Sequence, residues 1–201
     1  MTELDAGPTV ADWLRRNVAE NGDAVALRRM RPDGTGLEEW TWAEVGDRSA
    51  RLAAAFTRLG LGRGERMLLF LRNRPEFHVA DLGAMLAGGT PLSIYNSSAP
   101  EQVAQLAGHS RSRIAVVDDI EFLERLLKVR DELPELRAIV VVDDPDGLRP
   151  PDVHLLADLY GDEPVDAAVT ALEKADAAVV LADGRPTGVL TRQDLLAHLS
   201  R

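Results

Sequence analysis

Cysteine is missing from this 201-residue sequence, and its absence excludes several kinds of chemistry. Without thiols the chain can form no disulfide, no thiolate metal site and no cysteine nucleophile. A protein of this length buries enough apolar surface to fold without such cross-links. The absence also suits a reducing compartment, so we expect a cytoplasmic protein.

An excess of basic residues is missing as well. The 23 lysines and arginines are outnumbered by 33 aspartates and glutamates, which gives a formal net charge of −10. Non-specific nucleic-acid binding depends on a basic surface, so we expect no nucleic-acid partner. The apolar runs are far shorter than the ~20 residues of a transmembrane helix, which predicts no membrane span. The acidic start of the chain is unlike a signal peptide.

Several catalytic motifs are also absent. The sequence contains no Gly-x-x-x-x-Gly-Lys-Ser/Thr phosphate loop and no Gly-x-Ser-x-Gly nucleophile elbow. The glycine cluster at residues 60–64 precedes an apolar run, and the third glycine of a Gly-x-Gly-x-x-Gly pattern would fall on Glu65, so a loop is favoured. We therefore predict no catalytic residue. We also predict no metal site, because the four histidines, His78, His109, His154 and His198, do not occur with His-x-x-x-His spacing.

Short apolar runs alternate with amphipathic stretches along most of the chain. This alternation predicts parallel strands joined by helices, and hence an α/β fold. Thr9 is expected to cap a first helix, and a Thr41–Glu44 capping box to open a longer one. The prolines and glycines of residues 145–164 predict a linker. The apolar face of the first helix is predicted to comprise Val10, Trp13, Leu14 and Val18.

Paired acids follow two of the apolar runs, as Asp118-Asp119 and Asp143-Asp144. Open α/β sheets place ligand clefts at the carboxyl ends of their strands, so these acids are candidate site residues. The same residue types form turns and cap helices, and that structural interpretation is favoured.

Five motifs occur in an order and spacing similar to those of a known family. They are Trp40-Thr-Trp-Ala-Glu-Val45, Leu61-Gly-Arg-Gly-Glu-Arg-Met67, Arg72-Asn-Arg-Pro-Glu-Phe-His-Val-Ala-Asp81, Met85-Leu-Ala-Gly-Gly-Thr-Pro-Leu-Ser-Ile-Tyr95 and Asn96-Ser-Ser-Ala-Pro-Glu-Gln102. Residues from about 8 to 162 thereby resemble the N-terminal part of adenylate-forming acyl-CoA synthetases, especially bacterial long-chain fatty-acid ligases. The resemblance implies a partly parallel sheet with flanking helices. It also implies chemistry that joins a carboxylate to CoA with ATP and magnesium.

The same resemblance indicates what is missing from the chain. The family's phosphate loop is rich in Ser, Thr and Gly and ends in Pro-Lys-Gly, whereas Leu181-Ala-Asp-Gly-Arg-Pro-Thr-Gly188 stands at that place. The hydroxyls and the lysine that would neutralise a triphosphate are absent from it, and the family's later motifs do not follow. We therefore expect no ligase turnover from this chain alone.

The last segment resembles a different module. Residues from about 165 to 201 are similar to a CBS motif, because Gly188-Val-Leu-Thr-Arg-Gln-Asp194 matches its Gly-h-x-Thr/Ser-x-x-Asp signature. We predict in it a helix over 165–175, a strand over 177–181, an Asp-Gly turn, a strand over 187–190 and a helix over 193–199. The resemblance implies a small α/β tail, with a boundary between residues 1–162 and 163–201. It further implies that Gly188, Thr191 and Asp194 bind an adenine nucleotide, AMP or ATP, in a homodimer that pairs two tails. Thr191 would contact phosphate and Asp194 the ribose.

Three alternatives stay open for the tail and the chain. Thr191 and Asp194 also suit the cap of a terminal helix. Residues 188–199 also fit a degenerate continuation of the synthetase, whose phosphate loop is followed by a Val-rich strand and a Leu-Leu helix. Finally, the chain also fits a purely structural interaction protein, since uncovered apolar faces favour self-association.

Overall fold

The computed structural model describes residues 9–31, 33–161, 177–182 and 185–191. Helices and strands alternate along most of these residues. The helices are α1 Val10–Asn21, α2 Trp42–Arg58, α3 Pro75–Leu86, α4 Pro100–Ser110, α5 Ile120–Leu127 and α6 Leu156–Leu159. The strands are β1 Val25–Met30, β2 Leu37–Thr41, β3 Arg66–Phe70, β4 Thr90–Ser93, β5 Ile114–Val117, β6 Ala138–Val141, β7 Val153–Leu155, β8 Ala177–Ala182 and β9 Arg185–Thr191.

Two capping boxes fix where the first two helices begin. The Thr9 amide donates to the Asp12 carboxylate at 2.8 Å, and the Asp12 amide donates back to the Thr9 hydroxyl at 3.2 Å. Thr41 and Glu44 repeat the arrangement at the start of α2. Each box satisfies amides that lack partners in the first turn of a helix. Both capping predictions are confirmed, and the antiparallel β1–β2 hairpin lies between the two helices.

Five parallel strands form the central sheet, in the order β4-β3-β5-β6-β7. Helices α3, α4 and α5 connect the first four of these strands in chain order, as parallel neighbours require. The α/β prediction is therefore confirmed. From β3 the chain moves outward to β4 and then returns to β5 on the other side of β3. The carboxyl ends of β3 and β5 thus flank the topological switch point, where such sheets usually bind ligands.

Both faces of this sheet are covered by helices. One face packs against α2 and α3 around Phe56 and Met67, and the other packs against α4 and α5 around Phe70 and Phe122. The rings of Phe70 and Phe122 meet edge to face, with centroids 4.6 Å apart. Burial on both faces explains why the strands are continuously apolar instead of alternating.

The buried face of α1 differs from the predicted one. Leu14 is buried and Val18 packs against the core, but Val10 is 50% exposed and Trp13 is 53% exposed. The prediction for Val10 and Trp13 is wrong because periodicity identifies an apolar stripe but not which edge of it meets the core. The core side of α1 includes Ala11 instead.

The stretch predicted as a linker, residues 145–164, contains a strand and a helix of the fold. Strand β7 lies within it and pairs in parallel with β6, and Leu156 of α6 is buried in the core. A three-residue strand is too short to form a recognisable apolar run, and its own residues do not indicate that it pairs with β6. The linker prediction is wrong for this stretch.

The C-terminal segment is described only in part. Strands β8 and β9 pair antiparallel, which confirms the two strands predicted there. The helices predicted over residues 165–175 and 193–199 lie outside the described residues. In the part of the chain that the structure describes, no helix combines the length and apolar character that crossing a bilayer requires.

Candidate functional site

The switch point of the sheet is closed by Asp118. Its carboxylate follows β5, is only 2% exposed, and accepts a 2.6 Å hydrogen bond from the Arg72 amide beyond β3. Because the donor and acceptor follow adjacent parallel strands, this bond joins the two strand ends that flank the switch point. Asp118, one of the candidate acids identified in the sequence, is thus hydrogen-bonded to the backbone that follows the neighbouring strand β3.

Arg74 extends this contact to a third strand. Its guanidinium donates to Asp118 at 2.8 Å and to Asp143, beyond β6, at 2.6 Å. A further 2.8 Å bond reaches Glu76 in the first turn of α3. Burial alone would lower the pKa of Arg74, but hydrogen bonds to Asp143 and Glu76 hold that pKa well above its usual value. Arg74 therefore stays charged and bridges the carboxyl ends of β3, β5 and β6.

Arg72 and Asp119 form a second ion pair beside the first, with a 2.7 Å contact. The hydrogen bond to Asp119 raises the pKa of Arg72. Partial burial would raise the pKa of Asp119, but the bonds from Arg72 and the Phe122 amide lower it overall. The Phe122 bond, at 3.2 Å, caps the start of α5.

The network continues to the β1–β2 hairpin. Arg29 lies 2.7 Å from Glu38 and 3.4 Å from Glu76, and the Trp40 indole donates to Glu38 at 2.9 Å. Burial opposes the charge on Glu38, but the Arg29 and Trp40 bonds lower its pKa overall. We call the whole arrangement the carboxyl-edge network; it comprises Arg29, Glu38, Arg72, Arg74, Glu76, Asp118, Asp119 and Asp143.

The composition of the carboxyl-edge network decides what it can bind. Its carboxylates outnumber its three arginines, and every one of those arginines is already paired with an acid. Such a site repels a triphosphate and has no free cation to hold one. The described residues also contain no group of three or more acids and histidines arranged to hold a metal ion.

The structural interpretation of the paired acids is confirmed for Asp119 and Asp144. Asp119 caps α5, and Asp144 accepts the Leu148 amide at 2.7 Å in the following turn. Sequence reasoning missed the arginine partners of Asp118 and Asp143. The sequence feature that could have identified these partners is the pair of arginines, Arg72 and Arg74, which lie between the end of β3 and the proline that starts α3.

The residues predicted to bind a nucleotide lie elsewhere. Gly188 and Thr191 belong to β9, where their backbone partners on β8 are Val180 and Ala177. Asp194 lies outside the described residues, so the predicted grouping of the three residues stays a prediction.

Residues 14–192 match the family described as AMP-binding enzyme. The chain belongs to the AMP-binding enzyme family. The match continues through β8 and β9 and ends at residue 192, so it includes Gly188 and Thr191 of the CBS-like signature. This extent favours the alternative in which that segment continues the synthetase.

The chain is also similar in sequence to individual curated proteins. The chain is 29% identical to the long-chain-fatty-acid–CoA ligase ACSBG1 of Bos taurus over 203 residues, which cover 96% of this chain and 28% of the relative. It is 30% identical over 143 residues to the uncharacterized protein Rv1549 of Mycobacterium tuberculosis, covering 71% of this chain and 77% of that one. The chain thus spans about a quarter of the length of the ACSBG1 ligases that it matches.

Solved structures share the fold. The anthranilate CoA ligase AuaEII matches with a TM-score of 0.68 at 24% identity, over 82% of this chain and 30% of the ligase. The acyl-CoA synthetase of Brucella canis matches with a TM-score of 0.62 at 20% identity, over 90% of this chain and 28% of that one. The described α/β unit therefore has the architecture of the corresponding part of acyl-CoA ligases.

Proposed function

We propose that this chain supplies the N-terminal α/β section of a fatty-acid–CoA ligase of the AMP-binding family and has no ligase turnover by itself. The observation that carries the proposal is the residue composition of residues 181–188. The hydroxyl-rich run of the family's phosphate loop is absent there, and Thr187 occupies the place of the lysine in the family's Pro-Lys-Gly.

The electrostatics of the described residues support the same conclusion. Forming an acyl-adenylate requires cations and hydrogen-bond donors placed around a triphosphate. At the carboxyl edge, Arg72 and Arg74 are held by Asp119, Asp118 and Asp143 and have no spare charge to offer. The section is therefore a scaffold whose switch point is closed by internal ion pairs.

The test is a turnover assay on the purified chain with ATP, Mg²⁺, a long-chain fatty acid and CoA, with pyrophosphate and acyl-CoA as readouts. We expect only background product. The matched control is Thr187→Lys, purified in the same way, which restores the missing cation. A contaminating ligase gives equal rates in both preparations. Product formation by the parent chain that rises in proportion to its concentration and exceeds this shared background would overturn the proposal.

A second proposal retains adenine-nucleotide binding by Gly188, Thr191 and Asp194 in a homodimer, in the same reducing, cytoplasmic setting that the lack of cysteine predicts. The β8–β9 hairpin supports it, because the CBS resemblance implies two antiparallel strands before its Asp. The same hairpin also suits a degenerate synthetase loop. The two proposals therefore expect the same backbone and differ in whether the tail binds a nucleotide.

Thermal unfolding with AMP, ATP and S-adenosylmethionine separates them. A ligand at a hundred times its Kd stabilises by about 2.7 kcal/mol, or roughly 5–10 °C at this chain length. Asp194→Ala should abolish that shift, whereas Asp152→Ala, at an exposed position outside the signature, should preserve it. A monomer by light scattering that shows no shift with any of the three ligands contradicts nucleotide binding.

A further inference from the structure

Three arginines stand side by side at the amino edge of the central sheet. Arg66 begins β3, and Arg113 and Arg137 immediately precede β5 and β6. The Arg113 amide donates to the Arg66 carbonyl at 2.8 Å, and the Arg137 amide donates to the Arg113 carbonyl at 2.7 Å. The three residues therefore occupy one row across neighbouring strands, which lie about 4.8 Å apart.

A row of like charges destabilises a sheet unless something offsets it. Among the residues that the structure describes, the central Arg113 alone of these three forms salt bridges, with Glu65 at 2.8 Å and with Glu135. Arg66 donates instead to carbonyl oxygens, including that of Ser110 at the end of α4, where cations are favoured. Arg137 is exposed and has no ion pair with any residue that the structure describes.

Two more arginines lie in the loops that lead into β3 and β5. Arg63 is exposed in the loop before β3, and Arg111 is exposed directly after α4. Neither has a salt bridge within the described part of the chain. Arg111 also adopts a left-handed backbone, with φ 53°, a conformation that glycine or asparagine would adopt more readily. Arg111 thus places a charge at this edge despite the cost of its backbone conformation. We call Arg63, Arg66, Arg111, Arg113 and Arg137 the amino-edge arginines.

The acids near these arginines do not balance them. Glu65 and Glu135 both form salt bridges with Arg113, and Glu65 also interacts electrostatically with Arg137, although these two form no ion pair. Glu132 lies with Arg111 and Glu135 around a cavity of about 410 Å³. The edge is therefore cationic although the chain as a whole carries −10. The opposite edge of the same sheet holds the acidic carboxyl-edge network, so the two ends differ in sign.

We propose that the amino-edge arginines bind an anion that carries several phosphate groups. Guanidinium groups pair with phosphate in a two-pronged geometry, and a line of them fits phosphates spaced along a chain or a surface. Arg63, Arg111 and Arg137 supply the unpaired charge, while Arg66 and Arg113 hold the strand ends in place. A soluble polyphosphate and the headgroups of an anionic lipid surface present the same chemistry.

The test uses the full chain and two probes at low ionic strength. Sodium tripolyphosphate is titrated by calorimetry, and vesicles of phosphatidylcholine are sedimented with and without phosphatidylglycerol. The test variant is Arg63→Glu with Arg137→Glu, both at exposed positions. Its control is Arg16→Glu with Arg31→Glu, on α1 and after β1, which changes the net charge equally away from the edge.

We expect at least one probe to bind, with an affinity that falls as salt is added and falls roughly tenfold or more in the edge variant. Binding of tripolyphosphate alone identifies a free phosphate compound, and binding of anionic vesicles alone identifies lipid headgroups. The proposal is overturned if neither probe binds, or if the control variant loses as much affinity as the edge variant. Circular dichroism confirms that both variants are folded, and Arg63→Glu alone serves if the double variant is not.

Discussion

One guanidinium, that of Arg74, pairs at the same time with a buried carboxylate on Asp118 and with an exposed one on Asp143. The contacts are 2.8 Å and 2.6 Å, and the two acids are 2% and 54% exposed. Distance alone would rank the two pairs equally. Burial separates them, because a charge without a partner is costly only where water cannot reach it.

The first prediction concerns the removal of this cation. Arg74→Met leaves the buried Asp118 carboxylate with the Arg72 amide at 2.6 Å and with one cation nearby, the Arg72 guanidinium at 3.4 Å. We expect the free energy of unfolding to fall by roughly 2–4 kcal/mol, somewhat below the full cost of breaking a buried pair. Urea denaturation at neutral pH measures the change.

Asp143→Asn is the matched control, because it removes an exposed partner of the same guanidinium. It should cost less than about 1 kcal/mol, as exposed ion pairs do. Equal losses in the two variants would show that the pairing with Asp118 does not depend on burial as inferred here.

The second prediction compares two glycines inside helices. A Cβ at Gly83 of α3 would lie 2.9 Å from the Leu52 Cβ and 3.1 Å from the Ser49 carbonyl, so α2 and α3 would have to separate. A Cβ at Gly108 of α4 meets only a Leu133 methyl at 3.8 Å. Gly83→Ala should destabilise by about 1–3 kcal/mol, and Gly108→Ala should stabilise by about 0.5–1 kcal/mol.

Thermal and urea unfolding of both alanine variants check this pair. Replacing glycine by alanine is expected to lower the free energy of unfolding at Gly83 and to raise it at Gly108. An effect on the unfolded chain would be the same at both positions, so it cannot explain opposite changes. Stabilisation by Gly83→Ala would mean that α2 and α3 do not pack as closely as the structure has them.

The third prediction concerns helix caps. Ala99 precedes α4 with extended dihedrals but has no side-chain oxygen, although Gln102 already accepts the Ala99 amide at 2.9 Å. Ala99→Ser completes a capping box and should raise stability by about 0.5–1 kcal/mol. Thr41→Ala removes an existing cap and should lower it by about 1 kcal/mol. The melting temperatures of the two variants should therefore move in opposite directions, and a shift of the same sign in both would contradict the cap geometry.

The fourth prediction is a pH dependence at Asp81 in α3. Burial raises the pKa of this carboxyl, and His78 lowers it only in part. A pKa above the ordinary value of an aspartate means that the charged form is less favourable in the folded protein than in the unfolded chain. Asp81→Asn should therefore be more stable than the parent protein at neutral pH.

The advantage of Asp81→Asn should disappear as the pH falls below 3.8, where both states carry a protonated aspartate. Urea unfolding across the acid range measures this dependence. Asp152→Asn, at an exposed position, controls for the change of net charge. An advantage that persists unchanged in acid would show that burial of the charge is not its cause.

Much of the fold was predictable because its signals are local. Thr9 and Thr41 lie within three residues of the groups that they cap, and the runs that form β3, β5 and β6 are apolar on both faces. Such patterns need no knowledge of the rest of the chain. The family motifs between residues 40 and 102 are local in the same sense.

The candidate site was predictable only in part. Asp118 and Asp143 could be placed at strand ends, but their partner Arg74 lies 44 and 69 positions away in the sequence. The amino-edge row was equally hidden, since Arg66, Arg113 and Arg137 become neighbours only when β3, β5 and β6 pair.

The sequence by itself determined the helix starts, the parallel α/β class and the family, because these depend on residues close together in the chain. Only the tertiary structure decided that residues 153–155 form the edge strand β7, that Val10 and Trp13 lie exposed, and that arginines close the switch point. Strand order brings distant residues into contact, and the low polarity of the interior decides which of those contacts matter for stability.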